Sequence, residues 1–307
     1  MTTDDDGRAE SAEASGDGGA ATTTTPFRSG FVAVIGRPNV GKSTLVNRIL
    51  GHKVSIVSRT PNTTRTRVRG ILDRADSQVV FVDTPGVHKP KTALGERLNS
   101  TAGAAVHDVD VCVLVVDATG EVGRGDRFVA TTAPAATIVA VNKIDRVSTR
   151  EILDHLQAAA TLLEIEGAEY FPISAATGAG VPELVDHIVD RLPEGPRYYP
   201  AGTVSDVEEA FFVAELVREQ LLRTAREELP HSIACRVTEW EWPLIRCEIL
   251  VERESQKAIV IGRGGSVLKT VGTLVRQQLP EGAYLELFVK VEKDWQRSTD
   301  MITRLGY

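Results

Sequence analysis

Short apolar runs alternate with amphipathic stretches through the first two-thirds of the chain. Valine-rich runs of this length, bounded by polar residues, predict strands that are buried on both faces. They lie at 31–36, 79–86, 111–118, 137–145 and 170–175. Apolar residues three or four positions apart predict helices at 42–51, 92–108, 149–167 and 180–195. This alternation predicts an α/β domain with a mainly parallel sheet flanked by helices, whose functional loops follow the carboxyl ends of the strands.

The pattern changes after residue 192. Three prolines and two glycines between 192 and 206 predict a linker. The predicted elements that follow are helix, strand, strand, helix, strand and a terminal helix, the first five at 207–229, 232–242, 244–252, 266–279 and 283–292. We therefore expect a smaller α+β domain built on a three-stranded sheet.

These changes divide the chain into four parts. They are an acidic tail (1–26), a first domain (27–195), a linker (196–206) and a second domain (207–307). The tail is polar and has no apolar core, so it cannot bury enough surface to offset its ordering entropy. We expect it to be disordered.

Composition and charge exclude several classes of protein. The formal net charge of −7 argues against a chain that coats nucleic acid indiscriminately, although it leaves room for a local basic patch. The three cysteines, Cys112, Cys235 and Cys247, form no CxxC pair and are expected to be reduced and buried. No apolar stretch reaches the ~20 residues that span a bilayer, so we expect no integral membrane segment.

The stretch GRPNVGKS at 36–43 matches the phosphate loop GxxxxGK[ST] and stands between a predicted strand and a predicted helix. Glycines let the backbone N–H groups converge on a phosphate, and the helix adds its positive dipole end. Lys42 can then reach the β- and γ-phosphates, and Ser43 can bind Mg²⁺. A tight strand-to-helix turn without a ligand is the other interpretation. The predicted nucleotide-binding residues of this loop are Gly36, Arg37, Pro38, Asn39, Val40, Gly41, Lys42, Ser43 and Thr44.

The stretch NKID at 142–145 predicts which base is bound. Asp145 can accept hydrogen bonds from N1–H and the 2-amino group of guanine, whereas adenine would leave a buried carboxylate without donors. We expect Asn142 to meet the other base edge, the stem of Lys143 to cover the ring, and amide groups of residues 174–176 to meet guanine O6. Alone, NKxD also fits a solvated loop. The predicted base-binding residues are Asn142, Lys143, Ile144, Asp145, Ser174 and Ala175.

Two further segments complete the predicted GTP site. In DTPG (83–86), Asp83 can hold Mg²⁺ through water and Gly86 can offer its N–H to the γ-phosphate. The basic segment 58–70 is predicted to be a switch in which Thr64, or alternatively Thr63, binds Mg²⁺ when the γ-phosphate is present. A flexible basic loop is the other interpretation. The predicted residues at the first segment are Asp83, Thr84, Pro85, Gly86 and Val87.

Together these motifs resemble the TRAFAC-class GTPases, in the bacterial group that includes Era, MnmE and Der. The resemblance implies GTP and GDP as ligands, Mg²⁺ as cofactor, and Asn39 as a ligand of an activating potassium ion. Val87 stands where Ras-like enzymes have a water-orienting glutamine, so we predict slow hydrolysis. His88 is available as a general base, although a solvated loop histidine is the simpler interpretation. The predicted catalytic residues are Asn39, Lys42, Thr64 and Gly86.

A second glycine-rich loop, IGRGG at 261–265, lies in the smaller domain. It lacks the third glycine of a dinucleotide site and the GK[ST] of a phosphate loop. No acidic residue occurs between 255 and 280, and a GxxG turn lets a sugar-phosphate backbone approach closely. An ordinary helical hairpin is the other interpretation. The predicted RNA-binding residues are Lys257, Gly262, Arg263, Gly264, Gly265, Lys269 and Arg276.

The order of elements around this loop, namely helix, strand, strand, helix, GxxG, helix and strand, resembles a type II KH domain. Residues 29–307 together resemble the Era family. His231 departs from that family, which has tyrosine there. We interpret Trp240 and Trp242 as core and linker-packing residues rather than base-stacking ones. The resemblance implies binding to the 3′ end of 16S ribosomal RNA, action in 30S subunit maturation, and a cytoplasmic location with peripheral association at the inner membrane face. We expect a monomer. A GTP-dependent assembly scaffold with incidental hydrolysis is the alternative function.

Overall fold

The computed structural model describes residues 26–87, 92–224 and 232–307. Nearly all of the predicted tail therefore lies outside the described residues. His88 and His231 also lie outside them, so the interpretations offered for these two histidines stay predictions.

A six-stranded sheet forms the first domain, in the order β2-β3-β1-β4-β5-β6. Its strands are β1 (Arg28–Ile35), β2 (Val68–Asp73), β3 (Ser77–Asp83), β4 (Val111–Asp117), β5 (Ile138–Asn142) and β6 (Glu169–Pro172). All neighbours run parallel except β2 and β3, which are antiparallel. The mainly parallel sheet predicted from the alternating pattern is confirmed.

Helices cover both faces of this sheet, which is why its strands are apolar on both sides. They are α1 (Lys42–Leu50), α2 (Ala93–His107), α3 (Arg124–Ala130), α4 (Thr149–Leu162) and α5 (Val181–Arg191). Successive side chains of β1 point to opposite faces: Val32 and Val34 pack in one core, and Ala33 and Ile35 in the other. The parallel strands bring the loops after β1, β3, β4, β5 and β6 to one edge of the sheet.

Two elements of this domain are absent from the sequence prediction. Residues 68–70, assigned above to the switch, begin strand β2 and pair with β3. The neighbouring basic residues obscure the short apolar pattern in the sequence. The segment nevertheless forms a strand because it pairs with β3 along its whole length. Helix α3 has seven residues, fewer than two turns, and is too short to show helical periodicity.

The second domain has a three-stranded sheet in which β7 (Ala234–Glu241) and β8 (Leu244–Val251) are antiparallel, while β8 and β9 (Tyr284–Val291) are parallel. Its described helices are α6 (Glu209–Thr224), α7 (Glu254–Ile261), α8 (Ser266–Arg276) and α9 (Thr299–Arg304). A separate core of α6, α7, α8 and the sheet is centred on residues such as Val217, Cys247 and Val271. The predicted α+β domain of the type II KH order is confirmed.

The linker is bound by hydrogen bonds to strands β3 and β2 of the first sheet. The backbone N–H groups of Tyr198 and Tyr199 donate to Oε1 of Gln78 at 2.8 and 2.9 Å. Further along, Ile71 N donates to the carbonyl oxygen of Val204 at 2.8 Å. The segment between the domains is therefore an ordered part of the first domain's surface.

One stretch of the described chain, Glu254–Arg276, is long and apolar enough to cross a membrane by length and composition. The structure divides it at Gly262–Gly265 into helices of 8 and 11 residues. Each is much shorter than the ~20 residues that a span needs. The apolar composition instead serves the domain core, into which Val260, Val271 and Val275 point.

Trp240 and Trp242 are not core residues. Their exposed fractions are 36% and 53%, and they line a surface groove of about 570 Å³ together with Phe212 and Leu279. The interpretation of both tryptophans as core residues is therefore wrong. Trp240 is the last residue but one of β7, and Trp242 lies in the turn that joins β7 to β8.

Candidate active site and nucleic-acid interface

The phosphate loop connects β1 to α1 and has the backbone geometry that its glycines permit. Gly41 has φ +103°, and a Cβ atom there would lie 2.3 Å from Nδ2 of Asn142. Asn39 also has a positive φ, of 64°. Helix α1 begins at Lys42, so its unpaired N–H groups and positive dipole end face the loop. This is a ready anion site.

Lys42 is buried beneath the loop. Its Nζ donates to the carbonyl oxygens of Gly36 and Arg37 at 3.0 and 2.9 Å. Burial lowers the pKa of Lys42 to about 8, although the Asp83 carboxylate opposes that shift. A cation held in this way is positioned to pair with phosphate oxygens.

Three oxygen-bearing side chains from separate segments meet beside Lys42. Oγ of Ser43 donates to Oδ2 of Asp83 at 2.7 Å, and Oγ1 of Thr64 lies 2.9 Å from Oγ of Ser43 and 3.4 Å from Oδ2 of Asp83. Thr63 is bonded elsewhere, because its hydroxyl donates to the carbonyl oxygen of Thr60 at 2.7 Å. Of the two switch threonines considered above, Thr64 is the one beside Ser43.

This oxygen cluster fits Mg²⁺. Within the described chain, Oδ1 of Asp83 is buried and has no hydrogen-bond partner, and burial raises the pKa of that carboxyl. The described residues contain no group of three or more His, Cys, Asp or Glu side chains that could hold a metal ion by themselves. Mg²⁺ prefers oxygen ligands and is commonly held by one or two carboxylates together with substrate phosphates. A single carboxylate flanked by two hydroxyls matches that preference.

The carboxylate proposed to identify the base is held in place by its neighbour. Oδ1 of Asp145 accepts a hydrogen bond from Oγ of Ser174 at 2.6 Å. That contact joins the loops that follow β5 and β6. The second carboxylate oxygen of Asp145, Oδ2, lies 3.8 Å from Nε of Arg146. The Asp145 side chain is about a quarter exposed.

Asn142 has a structural role that differs from its prediction. Nδ2 donates to the carbonyl oxygen of Val40 at 2.8 Å, and Oδ1 accepts from the amide of Ala175 at 2.9 Å. The amide of Ser174 donates to Ala179. The amide groups of Ser174 and Ala175, predicted to meet guanine O6, are thus used inside the protein. Asn142 is 2% exposed and ties the phosphate loop to the base loop.

Lys143 crosses from the base loop to the phosphate loop. Its Nζ donates to the carbonyl oxygen of Asn39 at 2.8 Å and pairs with Asp117. Asp117 was missed in the sequence, although it ends β4 beside Asn142 in register and could have been found from that position. The outstretched stem of Lys143 forms one wall of the nucleotide cavity.

Three residues predicted to bind nucleotide have other partners. Nε of Arg37 contacts Oδ1 of the buried Asp126 in α3 at 2.7 Å, which fixes the phosphate loop to that helix. Thr84 is fully buried, and its hydroxyl donates to the carbonyl oxygen of Val34 at 2.8 Å. Val87 packs in the core, and its amide lies 3.3 Å from the carbonyl oxygen of Gly36.

Nine of the predicted residues line one cavity of about 130 Å³ at the mouth of α1. Gly86 lies so close to the phosphate loop that a Cβ atom there would be 2.7 Å from the nitrogen of Pro38. Pro85 is buried beside it, and Ile144 is half-buried with its amide 3.3 Å from the carbonyl oxygen of Ile173. The cavity lining includes Pro38, Asn39, Gly41, Lys42, Ser43, Thr44, Thr64, Gly86 and Lys143.

The second glycine loop joins α7 to α8. Gly262, Gly264 and Gly265 all have positive φ, and Cβ atoms at the last two would meet nothing within 4 Å. The backbone is therefore open to an approaching chain. Lys257 is half-buried, whereas the other predicted cations, Arg263, Lys269 and Arg276, are exposed. This surface combines an accessible backbone, positive charge and the N-terminus of α8, which suits a phosphodiester chain.

Known proteins share both halves of this arrangement. A family model described as 50S ribosome-binding GTPase matches residues 31–143, and a KH domain model matches residues 228–296. A crystal structure of an Era variant from Aquifex aeolicus, bound to GDP·AlF4⁻, is 37% identical, with a TM-score of 0.86 over 92% of this chain and 99% of that chain. A crystal structure of Era in complex with MgGDPNP and nucleotides 1506–1542 of 16S ribosomal RNA gives the same identity, coverage and TM-score. Because this identity extends over both domains, the chain belongs to the Era family of GTPases.

Proposed function

We propose that this protein hydrolyses GTP to GDP and phosphate, and that it binds the 3′ end of 16S ribosomal RNA during maturation of the 30S subunit. The observation that carries the GTPase assignment is the convergence of Ser43, Thr64 and Asp83 at the start of α1. The RNA assignment is supported by the open, basic GxxG loop and by the relative that binds nucleotides 1506–1542 of that RNA.

In this proposal, the N–H groups of the phosphate loop and of the first turn of α1 bind the phosphates of GTP. Lys42 exchanges its two loop carbonyls for phosphate oxygens, and the N–H of Gly86 faces the γ-phosphate. Ser43, Thr64 and Asp83 would hold Mg²⁺, whose charge neutralises β- and γ-phosphate oxygens when it is bound. These residues stabilise charge that develops during phosphoryl transfer without supplying a covalent nucleophile.

The base loop would select guanine. Ser174 fixes Oδ1 of Asp145, and Oδ2 would accept hydrogen bonds from two N–H donors of the base. Because Asn142 is occupied with Val40 and Ala175, its contribution is to hold the two loops at a constant distance. Lys143 lines the cavity, and its methylene groups would cover the guanine ring.

Hydrolysis would be slow because no polar side chain replaces the water-orienting glutamine at Val87, which is buried. Nδ2 of Asn39 donates to the carbonyl oxygen of Arg59 at 2.8 Å, so this asparagine already joins the phosphate loop to the switch. We propose that a potassium ion at Asn39 accelerates the reaction. Turnover at equal concentrations of potassium and sodium chloride tests this, and equal rates would exclude it.

Two binding measurements test the main proposal. Calorimetry should detect GTP and GDP binding in magnesium buffer, with ATP as the control that gives no heat. Binding of two fluorescent RNAs of equal length is measured in the presence of a non-hydrolysable GTP analogue. The RNA with the sequence of the 16S 3′ end should bind more tightly than the scrambled RNA. Absence of guanine nucleotide binding would overturn the GTPase assignment, and equal binding of both RNAs would overturn the RNA assignment. We propose a cytoplasmic monomer. Light scattering of the purified protein would check the oligomeric state.

A further inference from the structure

The second domain contacts the switch on both sides of Thr64. Nη2 of Arg218, in α6, donates to the carbonyl oxygen of Thr63. On the other side, Nη1 of Arg65 donates to the carbonyl oxygen of Ile233 at 2.8 Å. The Arg65 guanidinium also lies 5.2 Å from the ring centre of Tyr307, the last residue of the chain. The predicted magnesium ligand is therefore held between two anchors on another domain.

Arg218 is an unusual residue at this position because it is completely buried. Its Nε donates to Oε1 of Glu215 at 2.7 Å, while among the described residues its Nη1 has no hydrogen-bond partner. A buried ion pair with an unsatisfied N–H group is often no more stable than well-packed apolar side chains of similar volume. Stability alone therefore does not explain why a buried arginine is present at this position. Its hydrogen bond to the switch backbone does explain it.

The next residue of α6, Glu219, binds the chain just before the switch. Oε1 of Glu219 accepts from the amide of Val57 at 2.9 Å, and Oε2 contacts Nζ of Lys53 at 2.5 Å. Glu219 is also fully buried. Adjacent side chains of one helix thus bind the backbone at residue 57, immediately before the switch, and at residue 63 within it. These two points lie at the ends of the loop that leads to Thr64.

We propose that Arg218 is a positioning residue for Thr64. By holding the carbonyl oxygen of Thr63, it stabilises the switch conformation in which the Thr64 hydroxyl lies 2.9 Å from Oγ of Ser43. The inference rests on the proposed GTPase function and adds that the RNA-binding domain supplies part of the switch's support. Since Thr64 is expected to bind Mg²⁺ only with the γ-phosphate present, Arg218 should favour the triphosphate over the diphosphate.

The test compares nucleotide affinities of Arg218→Gln, Arg218→Lys and the wild type in the full chain. The glutamine variant removes a charged hydrogen bond to Thr63, so it should bind GDPNP about tenfold more weakly in magnesium buffer. Its affinity for GDP should stay within about twofold, and the magnesium concentration that half-saturates GDPNP binding should rise. The lysine variant keeps the positive charge opposite Glu215. Its affinity for GDPNP should therefore lie between those of the glutamine variant and the wild type.

A matched control is Arg236→Gln, because Arg236 pairs with Glu248 on the sheet at 2.7 Å and belongs to the same domain. It should leave the ratio of GDPNP to GDP affinity unchanged. Equal losses for both nucleotides, or no loss for GDPNP, would overturn the inference. If Arg218→Gln does not fold, the ratio of GDPNP to GDP affinity is measured in the lysine variant instead. An unchanged ratio there would overturn the inference. A wild type that binds neither nucleotide would instead contradict the proposed function.

Discussion

Oγ of Ser43, in the first turn of α1, lies 2.7 Å from Oδ2 of Asp83 at the end of β3. The two residues are 40 positions apart in the chain, and they meet because β1 and β3 are parallel neighbours in the sheet. Loops after parallel strands open on the same edge, so strand order alone brings a hydroxyl and a carboxylate to one point.

Replacing Asp83 with asparagine should reduce single-turnover GTP hydrolysis in magnesium buffer by roughly 100-fold or more, because metal stabilisation of phosphoryl charge is worth several kcal/mol. The amide keeps the hydrogen bond to Ser43, so the fold should survive. Asp154→Asn, on the exposed face of α4, is the control and should hydrolyse GTP at the wild-type rate. A wild-type rate in Asp83→Asn would remove this residue from the magnesium site.

Replacing Asp145 with asparagine should change the base that is bound. The amide can still accept from Ser174, but its NH₂ group would face the donors of guanine and suit the 2-oxo group of xanthine. We expect GTP affinity to fall by about 100-fold or more and XTP affinity to rise. Competition between the two nucleotides measures the preference. Unchanged selectivity for GTP would show that another residue reads the base.

The affinity for GTP should fall as the pH rises above about 8. Burial lowers the pKa of Lys42 to about 8, against the opposing effect of Asp83, so part of the free protein carries a neutral lysine there. Phosphate oxygens favour the charged ammonium, so binding raises this pKa and takes up a proton. The same linkage predicts the largest uptake at roughly pH 8.5–9.5 and little at pH 7.

Calorimetry in two buffers with different ionisation enthalpies measures that uptake directly. The observed heat should depend on the buffer at alkaline pH and become nearly independent of it at neutral pH. A constant affinity from neutral to alkaline pH, with the protein still folded, would show that Lys42 stays charged in the free site.

Replacing Arg263 with aspartate should weaken RNA binding and lower the slope of log affinity against log salt concentration by about one, as expected for one lost phosphate contact. Basal GTP hydrolysis should not change. Arg150→Asp places the same charge reversal on an exposed helix of the first domain and should leave RNA binding unaltered. An unchanged salt slope in Arg263→Asp would place the RNA elsewhere.

Elements with strong local signals were predictable from the sequence. The valine-rich strands and the main helices of both domains appear at the expected positions, with ends that differ by a few residues. The phosphate loop and NKID are each contiguous in sequence. Their functional groups are therefore close together in space whatever the order of the strands. Most of the site residues could therefore be predicted from residue types at fixed spacing.

Side-chain partners that come from distant segments were not predictable. Nothing near Arg37 in the sequence indicates that it pairs with Asp126. Asp117 belongs to the site because β4 and β5 pair in a register that places it beside Asn142. The exposed positions of Trp240 and Trp242 also depend on tertiary packing, because a large apolar side chain in a strand is ordinarily buried. Such partners follow from the order of strands, which local patterns do not specify.

The ordered linker has a consequence for solubility. Strand β2 is at the end of the six-stranded sheet, where an unpaired strand would present N–H and C=O groups to other chains. Residues 204 and 205 lie against Ile71 and Gly70 and occupy part of that edge. The segment that tethers the two domains thus also shields the first from edge-to-edge aggregation. A fragment ending before residue 196 would lose this protection and should self-associate more readily than the full chain.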